Sequence, residues 1–204
     1  MRFGSLIRKA HVFCGIALLL PLILFAVSGF ILNHRWSLWE TWDSRQITEK
    51  QVTVNIAPDG TSLDRAQFVL EQLGIKGEVN TVFVDVAKNS MQIRAQRPGK
   101  LVELNLALDS GSGTLVLTDL GFWFIIRNLH TMSGLHSNLA EKKNWVMTRV
   151  WSMTMDLTAV VMALLVLSGL FMWYSREDYR KSGLIILILG AGVFFVTVAM
   201  MVLL

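Results

Sequence analysis

Three long apolar runs divide the chain, and a polar stretch of different rhythm lies between the first and second. Val12 to Leu32 is 21 residues without a charge, Leu157 to Tyr174 is 18, and Gly183 to Leu204 is 22. Each is long enough to cross a bilayer as a helix once the adjoining turns are counted. The runs predict helices from about Arg8 to Asn33, from about Asn144 to Tyr174, and over Gly183 to Leu204. Pro21 falls in the middle of the first and is expected to kink it.

Residues 46–119 read as a small α+β domain. Thr61-Ser-Leu-Asp64 is a capping-box pattern. Leu63, Ala66, Leu70 and Leu73 follow at helical spacing, and Gly74 and Gly77 end the helix. Val79 to Val86, Met91 to Gln96, Leu101 to Leu108 and Thr114 to Thr118 then read as short strands of an antiparallel meander. Lys88-Asn-Ser90, Arg97-Pro-Gly-Lys100 and Asp109-Ser-Gly-Ser-Gly113 supply the turns. The domain has no histidine, no cysteine, no phosphate loop and no nucleophile motif, which points to binding or positioning. The expected fold is an α-helical integral membrane protein with three transmembrane helices and a small α+β extracytoplasmic domain. Its divisions are 1–45 (first span with an interfacial extension), 46–119 (the α+β domain), 120–143 (an interfacial helical segment), 144–175 (second span), 176–182 (a loop) and 183–204 (third span).

Composition agrees, with 53% hydrophobic residues. The net charge of +4 is small, and the basic residues gather beside the spans, which makes them topology signals and not a nucleic-acid surface. Arg2, Arg8 and Lys9 precede the first span; Arg176, Arg180 and Lys181 separate the second from the third. Both segments are expected in the cytoplasm, with the α+β domain outside, in the periplasm if the source is a Gram-negative bacterium. The basic start and Ala26-Val27-Ser28 also resemble a signal peptide, but the apolar run continues past that point, so a retained anchor is the favoured reading. Cys14 is the single cysteine, so no intrachain disulfide can form.

Chemistry centres on four histidines, His11, His34, His130 and His136. His11 and His34 bracket the first span, about 35 Å apart along a helix axis. An ionisable side chain at membrane depth is costly without a partner. His11 and Gly15 share a His-x-x-x-Gly spacing with His130 and Gly134. A glycine one turn from an imidazole lets something flat approach; ordinary small-residue helix packing is the competing reading. His130 and His136 are six apart and face different ways on one helix. No zinc spacing and no Cys-x-x-Cys-His is present, which excludes covalent c-type haem. Histidines on separate helices at matched depth, with Met132, Met147, Met153 and Met155 nearby, fit non-covalent haem; interfacial histidines that only hydrogen-bond are the alternative. Trp36, Trp39 and Trp42, spaced by three, read as an interfacial aromatic belt. Asp156, near the entry of the second span, either pairs with Arg149 or serves a proton or cation path.

The membrane part resembles the PepSY-associated transmembrane proteins, in particular a short three-helix branch. Arg8-Lys-Ala-His11 with Gly15, Ser28-Gly29 with Leu32-Asn-His34, Leu129-His130, Asp156-Leu-Thr-Ala159 and Leu167-Ser-Gly-Leu170 carry the resemblance; the α+β domain is PepSY-like only in its helix-then-strands order. The resemblance implies an inner-membrane protein of iron metabolism, related to b-haem reductases of ferric iron or ferric siderophores. His11, His34 and His130 fall on the family's histidine positions, and His136 does not clearly match one. The implied function is transfer of electrons through haem b to ferric iron or a ferric chelate at the periplasmic face. His34 and His130 are then the expected axial ligands, and Asp156 the residue that tunes the site or guides cations to it. A quinol or a protein must donate the electrons, since no Rossmann or flavin motif is present. A homodimer would supply a second histidine at the depth of His11. The competing reading is a non-enzymatic, membrane-anchored PepSY module that binds a peptide or a protein.

Overall fold

The computed structural model describes residues 2–34, 45–57, 59–132 and 137–203. They form α1 (Arg2–Asn33), β1 (Gln46–Thr53), α2 (Ser62–Gln72), β2 (Glu78–Asp85), β3 (Ser90–Arg97), β4 (Lys100–Ala107), β5 (Ser112–Asp119), α3 (Gly121–Thr131), α4 (Val146–Tyr174) and α5 (Glu177–Leu203). Helices α1, α4 and α5 are each long and apolar enough to cross a membrane. The chain divides into two compact units, Met1–Leu20 with Leu157–Leu204, and Pro21–Asp156.

The first unit is wholly helical and buries almost nothing against itself. No residue of α5 is buried, and Leu189 and Phe194 are 64% and 62% exposed. Apolar side chains in that number suit lipid or a second apolar helix as neighbour, where a helix satisfies its own backbone. The few inter-helix contacts use small or aromatic residues. A Cβ on Gly15 would lie 3.7 Å from the Leu165 side chain, so Gly15 serves helix packing. Phe3 meets Phe171 edge-on, centroids 6.0 Å apart. Helix α5 begins at Glu177, six residues before the expected Gly183, so most of the segment 176–182 is helix. Glu177 and Asp178 lie in its first turn, where carboxylates favour the positive end of the helix dipole. Helix α1 runs unbroken through Pro21.

The second unit holds a five-stranded sheet in the order β1-β5-β4-β3-β2, with every neighbouring pair antiparallel. Alternation places Met91, Ile93, Val102, Leu104, Leu106 and Leu115 on one face, and α2 covers that face with Leu63, Ala66, Val69 and Leu70. The capping box forms as the sequence predicts: the Thr61 hydroxyl accepts from the Asp64 backbone N–H, and the Asp64 carboxylate accepts from the Thr61 backbone N–H. Strand β1 was not expected. Its residues are nearly all exposed, so an edge strand leaves no apolar alternation to read.

The outer edge of β2 is covered by two asparagines from the segment before α4. The Asn144 side chain accepts from Val79 N–H at 2.9 Å and donates to Val79 C=O at 2.8 Å; Asn138 does the same with Val82 at 3.3 Å each. Each amide reproduces the two bonds of a neighbouring strand and so blunts an open edge. Beside them Glu78, 1% exposed, accepts from the backbone N–H groups of Asn144 and Trp145 at 2.9 and 2.8 Å. A carboxylate on the N–H groups just ahead of α4 satisfies donors that the helix cannot. This clasp ties the sheet to the start of a membrane helix.

Candidate functional site: serine-held imidazoles

Helix α1 carries His11 near its start and Ser28 near its end. In the first unit, His11 Nδ1 lies 2.9 Å from Ser168 Oγ on α4. In the second unit, His130 Nδ1 on α3 lies 2.7 Å from Ser28 Oγ. The two pairs share their chemistry. Ser28 Oγ donates to the Leu24 carbonyl at 2.6 Å, and Ser168 Oγ donates to the Leu164 carbonyl at 2.7 Å. A hydroxyl has one proton. The arrangement that satisfies every contact therefore has the serine accepting from the imidazole Nδ1–H, and in the neutral ring that tautomer leaves the lone pair on Nε2. A hydrogen bond of this kind is what orients a metal-ligating histidine and fixes its tautomer.

A glycine follows each serine, and each histidine rests against it. A Cβ on Gly169 would stand 3.2 Å from His11 Cε1, and one on Gly29 would stand 3.8 Å from His130 Cε1. Any side chain at 169 would push the His11 ring. Ser28 is fully buried, and Phe25 packs edge-to-face on His130 with centroids 5.0 Å apart. Trp151 Nε1 donates to the Leu129 carbonyl at 3.1 Å, which pins the end of α3 against α4 beside His130.

His11 also lines a cavity of about 700 Å³ in the first unit, with Arg8, Met172, Trp173, Arg176 and Tyr179. The cavity joins an imidazole, aromatic and thioether walls, and two guanidinium groups. Its volume falls within the ordinary range for ligand pockets. It brings together Arg8 and Arg176, one from each of the two basic segments of the sequence.

The remaining predicted residues are placed as follows. His34 follows α1; its Nδ1–H donates to the Phe30 carbonyl at 3.0 Å, and its ring stacks on Phe30 at 4.2 Å. Its tautomer is thus the same as that of the serine-held pair. Asp156 is exposed on α4, and no ion pair among the described residues links it to Arg149. Met132, Met147, Met153 and Met155 are described, whereas His136, Gly134, Trp36, Trp39 and Trp42 lie outside the described residues. Among the described residues no group of three or more His, Cys, Asp or Glu could hold a bare metal ion. Sequence reasoning did not assign roles to Ser28 and Ser168; the signal available was a Ser-Gly pair repeated inside two apolar helices.

The family model described as "Putative PepSY_TM-like" covers residues 5–203. No curated protein and no solved structure matches.

Proposed function

The chain belongs to the PepSY_TM-like family, and on that premise we propose that it is an inner-membrane b-type haem protein that passes electrons to ferric iron, free or chelated, at the periplasmic face. The observation that carries the reading is the serine-held imidazole, present twice with the same tautomer. The residues suit a haem in kind. An Nε2 lone pair is a ligand for iron, apolar and aromatic walls suit a macrocycle, and Arg8 and Arg176 suit its carboxylates. A bound haem would supply reversible one-electron chemistry at its iron.

In this reading His11 and His130 would each offer Nε2 to a haem iron, and Ser168 and Ser28 hold the rings through Nδ1. His34 would supply a further imidazole to the haem held by His130. Met172, which lines the His11 cavity, offers a second ligand within the chain. Outer-sphere transfer needs no acid or base, so Asp156 acts on cations near the site and not in a bond-breaking step. The N-terminus and the α4–α5 turn are cytoplasmic; the meeting of Arg8 and Arg176 in one cavity supports placing both basic segments on one side. A quinol or a partner protein is the donor. A homodimer through α5 is supported by Gly190 and Gly192, which have nothing within 4 Å.

The visible spectrum of the purified protein tests the proposal. A Soret band that sharpens with α and β bands after dithionite is expected. A colourless protein from haem-sufficient cells contradicts it and leaves a membrane-anchored binding module.

A further inference from the structure

The covered face of the sheet is only partly covered. Strand register sets Arg97, Lys100, Asp119 and Gln46 side by side across β3, β4, β5 and β1. The next row inward is Ala95, Val102, Leu117 and Thr48. All of these residues but Ala95, with the segment that follows α2, Leu73 to Lys76, line a cavity of about 380 Å³. Its floor is apolar, from Val102, Leu117 and Ile75. Its polar lining holds three cations, Lys76, Arg97 and Lys100, against one carboxylate, Asp119. Lys100 pairs with Asp119 at 3.3 Å, while Lys76 and Arg97 form no ion pair among the described residues. Three cations against one carboxylate leave the lining net positive over an apolar floor, which complements a compact ligand bearing several carboxylates.

The cavity is joined to α3, the helix that carries His130. Asp119 Oδ1 accepts from the Gly121 backbone N–H at 3.1 Å, at the first residue of α3. The turn between Arg97 and Lys100 holds Gly99 at φ +78, where a Cβ would stand 2.5 Å from Ile125 of α3; the Leu120 backbone N–H donates to the Gly99 carbonyl at 2.8 Å. From Gly121 to His130 the helix rises about 14 Å.

We infer that this cavity is a binding site for an anionic, polycarboxylate ferric chelate, held by Arg97, Lys76 and Lys100 at the head of α3. The inference rests on the proposed ferric-iron function and names its substrate class. It predicts chelate recognition by charge, weakened by salt.

The test uses the full chain in nanodiscs of zwitterionic lipid, with gallium citrate as a redox-inert probe of the ferric complex, read by calorimetry. Binding is expected, falling at least tenfold in Arg97→Glu and in Lys76→Glu, and retained in Arg97→Lys. Thermal melting of the variants checks that the sheet remains folded. Absence of binding by the unmodified chain, or equal binding by folded Arg97→Glu, overturns the inference. So does displacement of the probe by anionic lipid added to the discs, which assigns the cavity to a headgroup. A colourless chain that binds gallium citrate overturns the haem reading alone; a haem-loaded chain that does not bind it overturns this inference alone.

Discussion

The sheet unit and the helical unit use the same kinds of side chain for opposite ends. In the sheet, Met91 and Ile93 are fully buried and Leu104 is 1% exposed; removing them from water drives folding. In α5, Ile186 is 70% exposed, because lipid is as apolar as a protein core. Polar groups reverse in meaning accordingly. On the sheet surface a pair such as Arg94–Glu103, at 2.9 Å and solvent-accessible, contributes little. Between apolar helices a His–Ser contact is costly to place, which makes it a candidate functional site.

Paired substitutions put the largest strain on that contrast. Ile93→Ala should cost the sheet unit about 3 kcal/mol, whereas Ile186→Ala should change stability by less than about 1 kcal/mol in lipid, where no protein cavity opens. Denaturation of both variants in nanodiscs, followed by pulse proteolysis of the sheet, measures this; equal losses would break the comparison. Glu78→Gln probes the join between sheet and membrane helix. One carboxylate oxygen is replaced by a donor facing a backbone N–H, at a cost of about 2 kcal/mol. Proteolysis of the segment before α4 should accelerate, and unchanged protection would show that the asparagines alone hold the edge.

Gly169→Ala sharpens the polar side of the contrast. The added methyl crowds His11 Cε1 at 3.2 Å, so the spectrum of the haem proposed at His11 should shift while sheet stability stays level. The mildest effect concerns pH. The Thr61 backbone N–H, then its hydroxyl, hold the Asp64 carboxyl below its ordinary value; the Gly121 N–H, then Lys100, do the same for Asp119. Both groups are lowered on folding, so their contribution is full above the unfolded carboxylate value of about 3.9 and is lost as pH falls through the folded values. The sheet should melt at a lower temperature at pH 3 than at pH 6, and Asp64→Asn should narrow the difference. A melt that rises on acidification contradicts the assignment.

Legibility in the sequence followed the strength of the hydrophobic pattern. The apolar runs locate α1, α4 and α5, and apolar alternation with turn residues locates β2 to β5. Polar elements escaped: β1 is an exposed edge, and the first turns of α5 carry charges that read as a loop. The histidines stood out because they are few. Their serine partners did not, since Ser28 and Ser168 are ordinary in helices and only long-range packing joins each to an imidazole. The Glu78 clasp was invisible for the same reason, its acceptors lying 66 and 67 residues further along the chain.

The central claim is that serine-held imidazoles bind haem iron, and haem content per chain tests it most directly. Pyridine haemochrome analysis of the unmodified chain, His11→Ala and His130→Ala should show haem in the first and a clear loss in each variant. Ser28→Ala should keep haem but shift its reduction potential, because the Nδ1 hydrogen bond that makes the ligand more basic is gone. Full haem content in both histidine variants would contradict the account.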